Sequence, residues 1–167
     1  MADVDMALKF EGGSTTVDGE STLLNLENQL VVQSYSWSAT NDTTLAFGSS
    51  HGGGQGKPRM GDMHFSFFVD KTTTALFKAL TTNCHFDKVT LTIQRAGGEG
   101  QRIPYMKYEM ESAVINSTQD QGGGSNLVTS SMSITYAKLT KKYTPQADAG
   151  SPEGELEASY DQSVGTT

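Results

Sequence analysis

The segment Lys88-Val89-Thr90-Leu91-Thr92-Ile93-Gln94 decides the fold. Val89, Leu91 and Ile93 alternate with Lys88, Thr90, Thr92 and Gln94, the period of two that puts successive side chains on opposite faces of a strand. Downstream, Tyr105 to Asn116 sets Met106, Tyr108, Met110 and Val114 against Lys107, Glu109 and Glu111. Val128, Met132, Ile134 and Tyr136 then alternate with Thr129, Ser131, Ser133 and Thr135. Upstream, Met63, Phe65, Phe67 and Val69 oppose Asp62, His64 and Ser66. The stretch Leu30 to Ala39 carries Val31, Tyr35 and Trp37 against Val32, Ser34 and Ser36, and Met6, Leu8 and Phe10 oppose Asp5, Ala7 and Lys9. Six half-buried strands are the minimum reading.

One helix interrupts them. Asp70 or Thr72 can cap it, and Leu76, Phe77 and Leu80 form an apolar stripe through Thr72 to Thr82. Glycine-rich connections span Gly48 to Gly61, Ala96 to Gln101 and Gln119 to Ser125. Residues 147–154 read as a linker, and Leu156, Ala158 and Tyr160 alternate with polar neighbours as a C-terminal strand within 155–163. The expectation is one domain over residues 1–167: all-β, a small antiparallel β-barrel or two-sheet barrel with one flanking α-helix.

Composition narrows the function. At 167 residues and 35% hydrophobic content the chain supports a single core. Cys84 has no internal disulfide partner, and one cysteine with three histidines offers no structural zinc set. The net charge is −7, with twelve basic and fourteen acidic residues before the tail and five acidic residues within Ala147 to Thr167. Such a balance argues against nucleic acid and against an anionic membrane surface. The N-terminal residues lack the basic and apolar pattern of a signal peptide, and no stretch approaches 18 apolar residues. Synthesis in the cytoplasm and no membrane insertion are therefore expected, and export, if it occurs, would use a route that needs no cleaved signal.

Catalytic motifs fail on inspection. Gly48-Ser49-Ser50-His51-Gly52 fits the G-x-S-x-G pattern, but Gly53, Gly54, Gln55 and Gly56 cannot start the helix that a nucleophile elbow needs. Gly56-Lys57 has His51 and Pro58 where a phosphate-binding loop needs glycine and a hydroxyl. Cys84 and His85 are adjacent and so point to opposite faces of an extended chain. Glu109 and Glu111 share a strand face flanked by Lys107, which reads as a solvated edge. No enzyme and no cofactor is expected.

The ordered pattern resembles a known family. Met1 to Phe10 opens it, followed by Asp18-Gly19-Glu20-Ser21, Ser34-Tyr35-Ser36-Trp37, a glycine loop and His64-Phe65-Ser66-Phe67. Asp70-Lys71-Thr72-Thr73 enters the helix, Arg95-Ala96-Gly97-Gly98-Glu99 follows a strand, and Tyr143-Thr144-Pro145-Gln146 ends the body. This is similar to Hcp, the haemolysin-coregulated protein family of type VI secretion. Two departures stand out: Ser159-Tyr160 replaces the family's Gly-Trp pair, and Gly13 to Asn28 fits poorly after Ser21. The resemblance implies a barrel assembled as a homohexameric ring. Rings would stack into a tube inside a sheath, meet spike and baseplate proteins, and carry effector proteins out of the cell.

Two sets of residues follow as candidates. Ser34, Ser36 and Ser38 form a small polar face, expected to line the lumen, where bulky apolar groups would hold transiting cargo too firmly. Gly48, His51, Gly52, Gly53, Gly54, Gly56, Lys57 and Arg59 lie on the long loop, expected to dock on an adjacent subunit or ring, with Lys57 and Arg59 meeting Glu109 or the tail carboxylates. Rival readings are a phage-like tail tube protein of the same architecture and a carbohydrate-binding β-sandwich using Tyr35, Trp37 and Tyr108 as a stacking platform.

Overall fold

The computed structural model describes residues 4–43, 56–96, 100–124, 126–145 and 154–166. Its strands are β1 (Val4–Glu11), β2 (Leu30–Val31), β3 (Ser34–Ser36), β4 (Ala39–Asn41), β5 (Pro58–Met60), β6 (Met63–Phe68), β7 (His85–Ala96), β8 (Arg102–Gly123), β9 (Asn126–Thr135), β10 (Lys138–Tyr143) and β11 (Leu156–Asp161). One helix, α1 (Thr72–Thr81), joins β6 to β7. The main sheet runs β2-β1-β7-β8-β9-β6-β3, with β10 on β8 and β11 on β10. Every pairing is antiparallel, as the alternation and short glycine turns lead one to expect.

The barrel closes through one stretch of chain that changes partner. Leu30 and Val31 pair with β1, whereas Ser34 to Ser36 pair with β6. Between them the Val32 amide donates to the Met6 carbonyl at 2.9 Å and the Gln33 amide to the Ser66 carbonyl at 2.8 Å. The continuous Leu30–Ala39 strand of the sequence reading is therefore three short strands, β2, β3 and the start of β4. Strands β4 and β5 leave the barrel as a separate two-stranded ribbon.

Inside lie Leu8, Phe65, Phe67, Phe86, Val89, Leu91, Ile93, Met110, Met132 and Ile134, in one cluster. The faces assigned to Val89, Leu91 and Ile93 and to Met63, Phe65 and Phe67 match the structure. The opposite face of β1 and β7 does not meet water as expected. Ala7 and Gln94 are fully buried there, and the Gln94 amide donates to the Leu24 carbonyl at 3.0 Å. Alternation alone cannot show that the irregular segment 12–29 lies over this face.

Strand β8 also departs from simple alternation. Tyr108 and Met110 are buried, but Ala113 and Ile115 follow in place of Val114. Ser112 stands between them with φ of 51°, a left-handed conformation that reverses which side chains point inward. A second irregularity, between Ile115 and Ser117, shifts the register against β9. The strand then continues to Gly123, so most of the glycine-rich connection expected at Gln119 to Ser125 is β-structure.

Helix α1 begins where Asp70 accepts hydrogen bonds from the Thr72 amide and hydroxyl. It buries Thr72, Leu76 and Ala79, while Phe77, assigned to the apolar stripe, is 61% exposed. Asn83, at φ of 50°, ends it, and Cys84 is buried directly after. None of the helices among the described residues is long and apolar enough to cross a membrane. The C-terminal strand is paired over its whole length, from Lys138↔Asp161 to Tyr143↔Leu156. The loss of the Gly-Trp pair has not undocked it.

Candidate functional site

Four strands bring the predicted serines into a larger polar surface. Ser36, His64, Ser133 and Ser117 lie in one cross-strand row over β3, β6, β9 and β8. Ser34, Ser66, Ser131 and Gln119 make the next row. Ser34, Ser36, His64, Ser131, Ser117 and Gln119 are exposed. Because side chains alternate, the reverse side of the same strands carries Tyr35, Phe65 and Met132, which hold the face flat against the core. Sequence reading found Ser34 and Ser36 but missed their partners. The signal was available in the serines alternating with the core residues of Met63–Phe68 and Val128–Tyr136, but their pairing was not.

One end of this face is a hydrogen-bonded network. The Asn116 side-chain amide donates to Asp62 and to the Thr135 hydroxyl, both at 2.7 Å, and Thr135 donates to Asp62 at 2.8 Å. Ser133 donates to the Asn116 oxygen and shares a hydrogen bond of 2.6 Å with Ser117. Ser38 lies just beyond β3, beside a small hollow of about 110 Å³ lined by Ser36, Trp37, Asp62 and His64, and its carbonyl accepts from the Gly61 amide at 2.8 Å. No group of three or more His, Cys, Asp or Glu side chains that could hold a metal occurs among the described residues.

The β4–β5 ribbon carries the second set. Gly48, His51, Gly52, Gly53 and Gly54 lie outside the described residues. Gly56 packs on the Asp42 carbonyl so closely that a Cβ would sit 2.0 Å from its oxygen, which makes glycine obligatory. Lys57 and Arg59 are exposed at the stem of the ribbon. Of the carboxylates expected to meet them, Glu109, Glu155 and Glu157 are paired with lysines, while Asp148 and Glu153 lie outside the described residues. Lys142 lies 3.5 Å from Glu109, 3.7 Å from Glu155 and 3.6 Å from Glu157, and Lys88 also approaches Glu109. Attraction to these carboxylates raises the pKa of the Lys142 ammonium despite the opposing desolvation.

The base of the ribbon is fastened to the barrel by aromatic groups. The Trp37 indole donates to the Tyr136 hydroxyl at 2.6 Å, and Tyr136 donates to the Gly61 carbonyl at 2.8 Å. Burial pushes the Tyr136 phenol up to about 12, with a smaller push from the Asp62 charge opposing the effect of Trp37. Tyr35 is raised to about 12 as well, by burial first and then by Tyr108. Tyr35 and Trp37 both pack on Tyr108, with ring centroids 5.6 and 6.1 Å apart, and Tyr108 is buried. These rings are core and seam, which removes the flat exposed platform a carbohydrate would need. Cys84, the lone thiol, has burial pushing its pKa up, but hydrogen bonding with Ser14 and Thr15 leaves it lowered.

The fold, an antiparallel barrel with one flanking helix, superposes on solved type VI secretion proteins. One of them, described as a type six secretion system protein, superposes with a TM-score of 0.87 at 23% identity, covering 98% of this chain and 99% of that one. Hcp1 from Salmonella typhimurium gives 0.73 at 22% identity over 98% and 97%, and a type VI secretion system effector from Yersinia pestis gives 0.71 at 19% over 94% and 99%. The family described as "Type VI secretion system effector, Hcp" matches residues 8–143, and the chain belongs to it. Protein hcp1 of Pseudomonas aeruginosa is 30% identical over 99 residues, a match that spans 59% of this chain and 60% of that protein's length.

Proposed function

We propose that this chain is the tube-forming subunit of a type VI secretion system. Six copies close into a ring, rings stack into the inner tube of the contractile machine, and effectors travel within it out of the cell. The observation that carries this reading is the four-stranded polar face together with its two edges. Strand β3 has β6 as its one strand neighbour, and β8 beyond Ile115 has β9 as its one strand neighbour, among the described residues. A sheet with unpaired backbone at both edges is a template for another copy. Repeated around a ring, it would produce a continuous wall of serine, glutamine and histidine side chains, with exposed Phe68 and Leu127 at one end of it. Ser34, Ser36 and Ser38 line the lumen in this arrangement.

Labelling with a bulky thiol reagent tests the wall. A cysteine at position 36 should react inside assembled rings and obstruct the passage. Protection of that cysteine at the subunit seam would overturn the assignment. The loop bearing Gly48, His51, Gly52, Gly53, Gly54, Gly56, Lys57 and Arg59 serves contacts between subunits or rings. Deleting residues 52–55, which spares the packed Gly56, should leave the fold and weaken assembly, and unchanged tube formation would count against it.

A further inference from the structure

A ribbon of two three-residue strands is too short to hold its own direction, so the setting of β4 and β5 comes from their root. Two parts of the molecule grip that root. Tyr136, in the connection between β9 and β10, donates to the Gly61 carbonyl. The second grip comes from the end of the chain. The Gln162 side-chain oxygen accepts from the Met60 amide at 3.2 Å, and its side-chain amide donates to the Tyr136 carbonyl, also at 3.2 Å. The Gln162 backbone amide donates to the Ala137 carbonyl at 2.8 Å. One side chain thus joins the last residue of β5 to the barrel.

A closed turn holds Gln162 in place. The Gly165 amide donates to the Asp161 carbonyl and the Asp161 amide to the Thr166 carbonyl, both at 2.8 Å. The Asp161 carboxylate accepts from the Ser163 amide at 2.8 Å, and Gly165 adopts the φ of 69° that the return needs. The turn also lies against the ribbon stem, since a Cβ on Gly165 would stand 3.8 Å from the Lys57 side chain.

This turn hangs from a lightly built strand. Residues Leu156 to Ala158 of β11 are exposed and Ser159 to Asp161 half-buried, so the strand adds no fully buried side chain. Its one strand neighbour among the described residues is β10, through six pairings. Elements with few buried contacts open locally at a small fraction of the cost of global unfolding. We infer that β11 and its turn are a latch on the ribbon. While β11 is zipped to β10, Gln162 holds Met60 and the ribbon keeps its direction. When β11 opens, Gln162 leaves with it and the ribbon swings about Gly61 on the Tyr136 grip. The opening is local, because β10 stays paired to β8. The latch stands on the fold, and its effect on assembly rests on the tube reading, in which the direction of the ribbon decides whether its loop meets a neighbour.

Hydrogen exchange on the dilute full chain tests the latch. Adjacent strand residues aim their amides at opposite edges, so Ala158→Pro together with Ser159→Pro removes a rung of the β10–β11 ladder and opens β11. The Met60 amide should then exchange about tenfold faster or more, with the β8–β10 ladder still protected. Gln162→Ala should speed Met60 by a similar factor while residues 156–161 keep the parent rate, a selective loss that separates a latch from general weakening. Should the proline pair prevent folding, Gln162→Ala decides alone. An unchanged Met60 rate in either variant overturns the latch, as does opening of residues 156–161 in Gln162→Ala. Light scattering on Gln162→Ala reads the consequence: rings should form only at a several-fold higher protein concentration. Rings at the parent's concentration from a chain whose Met60 is free overturn the role in assembly. A parent chain that stays monomeric overturns the tube reading, and that role with it, while exchange alone decides the latch.

Discussion

The two halves of the barrel solve the problem of an exposed sheet surface in different ways. On β1, β7, the first part of β8, β10 and β11, charges alternate in sign and pair. Every ion pair found among the described residues lies there, from Lys9–Glu11 and Arg102–Asp5 to the cluster around Lys142. On β3, β6, β9 and the second part of β8, the exposed rows are serine, glutamine and a histidine, joined by neutral hydrogen bonds. The same strand, β8, takes part in both and changes character after Ser112. Mixed charge keeps a surface soluble and discourages edge-to-edge pairing. A surface that lines a passage and pairs at its edges needs neither strong fields nor apolar anchors. In the proposed tube the charged half would face outward and the hydroxyl half the passage.

The comparison is only meaningful if both surfaces rest on one core. Phe65 lies directly behind the polar rows and is 2% exposed. Phe65→Ala should destabilise the subunit by about 3–5 kcal/mol, as cavities under a thin sheet relax poorly. Urea denaturation of the dilute subunit would measure it. A loss of under about 1 kcal/mol would mean that the polar half is a loosely held flap instead of a wall.

The seam between barrel and ribbon gives the next largest effect. Tyr136→Phe removes the hydroxyl that joins Trp37 to Gly61, leaving a half-buried indole N–H and a carbonyl unsatisfied. A loss of about 1–3 kcal/mol is expected, with a change in the fluorescence of Trp37, the chain's single tryptophan. The pH dependence has a definite sign. Tyr35 and Tyr136 are raised from 10.0 to about 12 in the folded protein, so the unfolded chain loses these protons first. Their contribution is complete below pH 10 and is lost as pH rises through about 12. The raised Lys142 adds loss in the same alkaline direction. Tyr136→Phe should therefore flatten the alkaline limb of the stability curve.

Much of this division was legible in the sequence, and the limit is physical. Val89, Leu91 and Ile93 announce their strand because one-sided burial imposes period two. Lys138-Leu139-Thr140-Lys141-Lys142-Tyr143 does not, although it forms β10, because its buried positions are Leu139 and the adjacent Thr140. Inward direction in β8 depends on the φ of Ser112, which no alternation reports. Ser34 and Ser36 could be chosen from spacing, but their row-mates Ser66, Ser131, Ser117 and Gln119 are joined to them only by the strand order β8-β9-β6-β3. For the loop, spacing picks out the cations but not their partners, since Glu109, Glu155 and Glu157 pair with lysines one or two strands away in sequence.

On the charged half, Lys142 is the point where the C-terminal strand is tied in. Its side chain is 23% exposed and serves three carboxylates, two of them 45% and 53% exposed. Lys142→Met should cost about 1 kcal/mol at low salt and less at 1 M salt, where screening weakens both the lost attraction and the remaining repulsion. Because six backbone pairings also hold β11, the strand should stay docked by hydrogen exchange. Release of residues 156–161 would show that charge, not the ladder, fastens the tail.

The smallest effect on stability is expected where the effect on function is greatest. Ser131 is exposed at the middle of the polar rows, between Ser66 and Gln119. Ser131→Ala should change folding stability by no more than about 0.5 kcal/mol, because the hydroxyl meets water in the subunit. Ser131→Phe should be nearly as benign for folding, since aromatic residues suit a strand and the side chain points away from the core. In a ring, however, the same substitution appears six times on one wall. Rings should still form, and effector export by cells carrying Ser131→Phe should fall sharply while Ser131→Ala export stays near normal. If instead Ser131→Phe abolishes rings, the row lies at a subunit contact, and the hydroxyl half is an interface and not a passage.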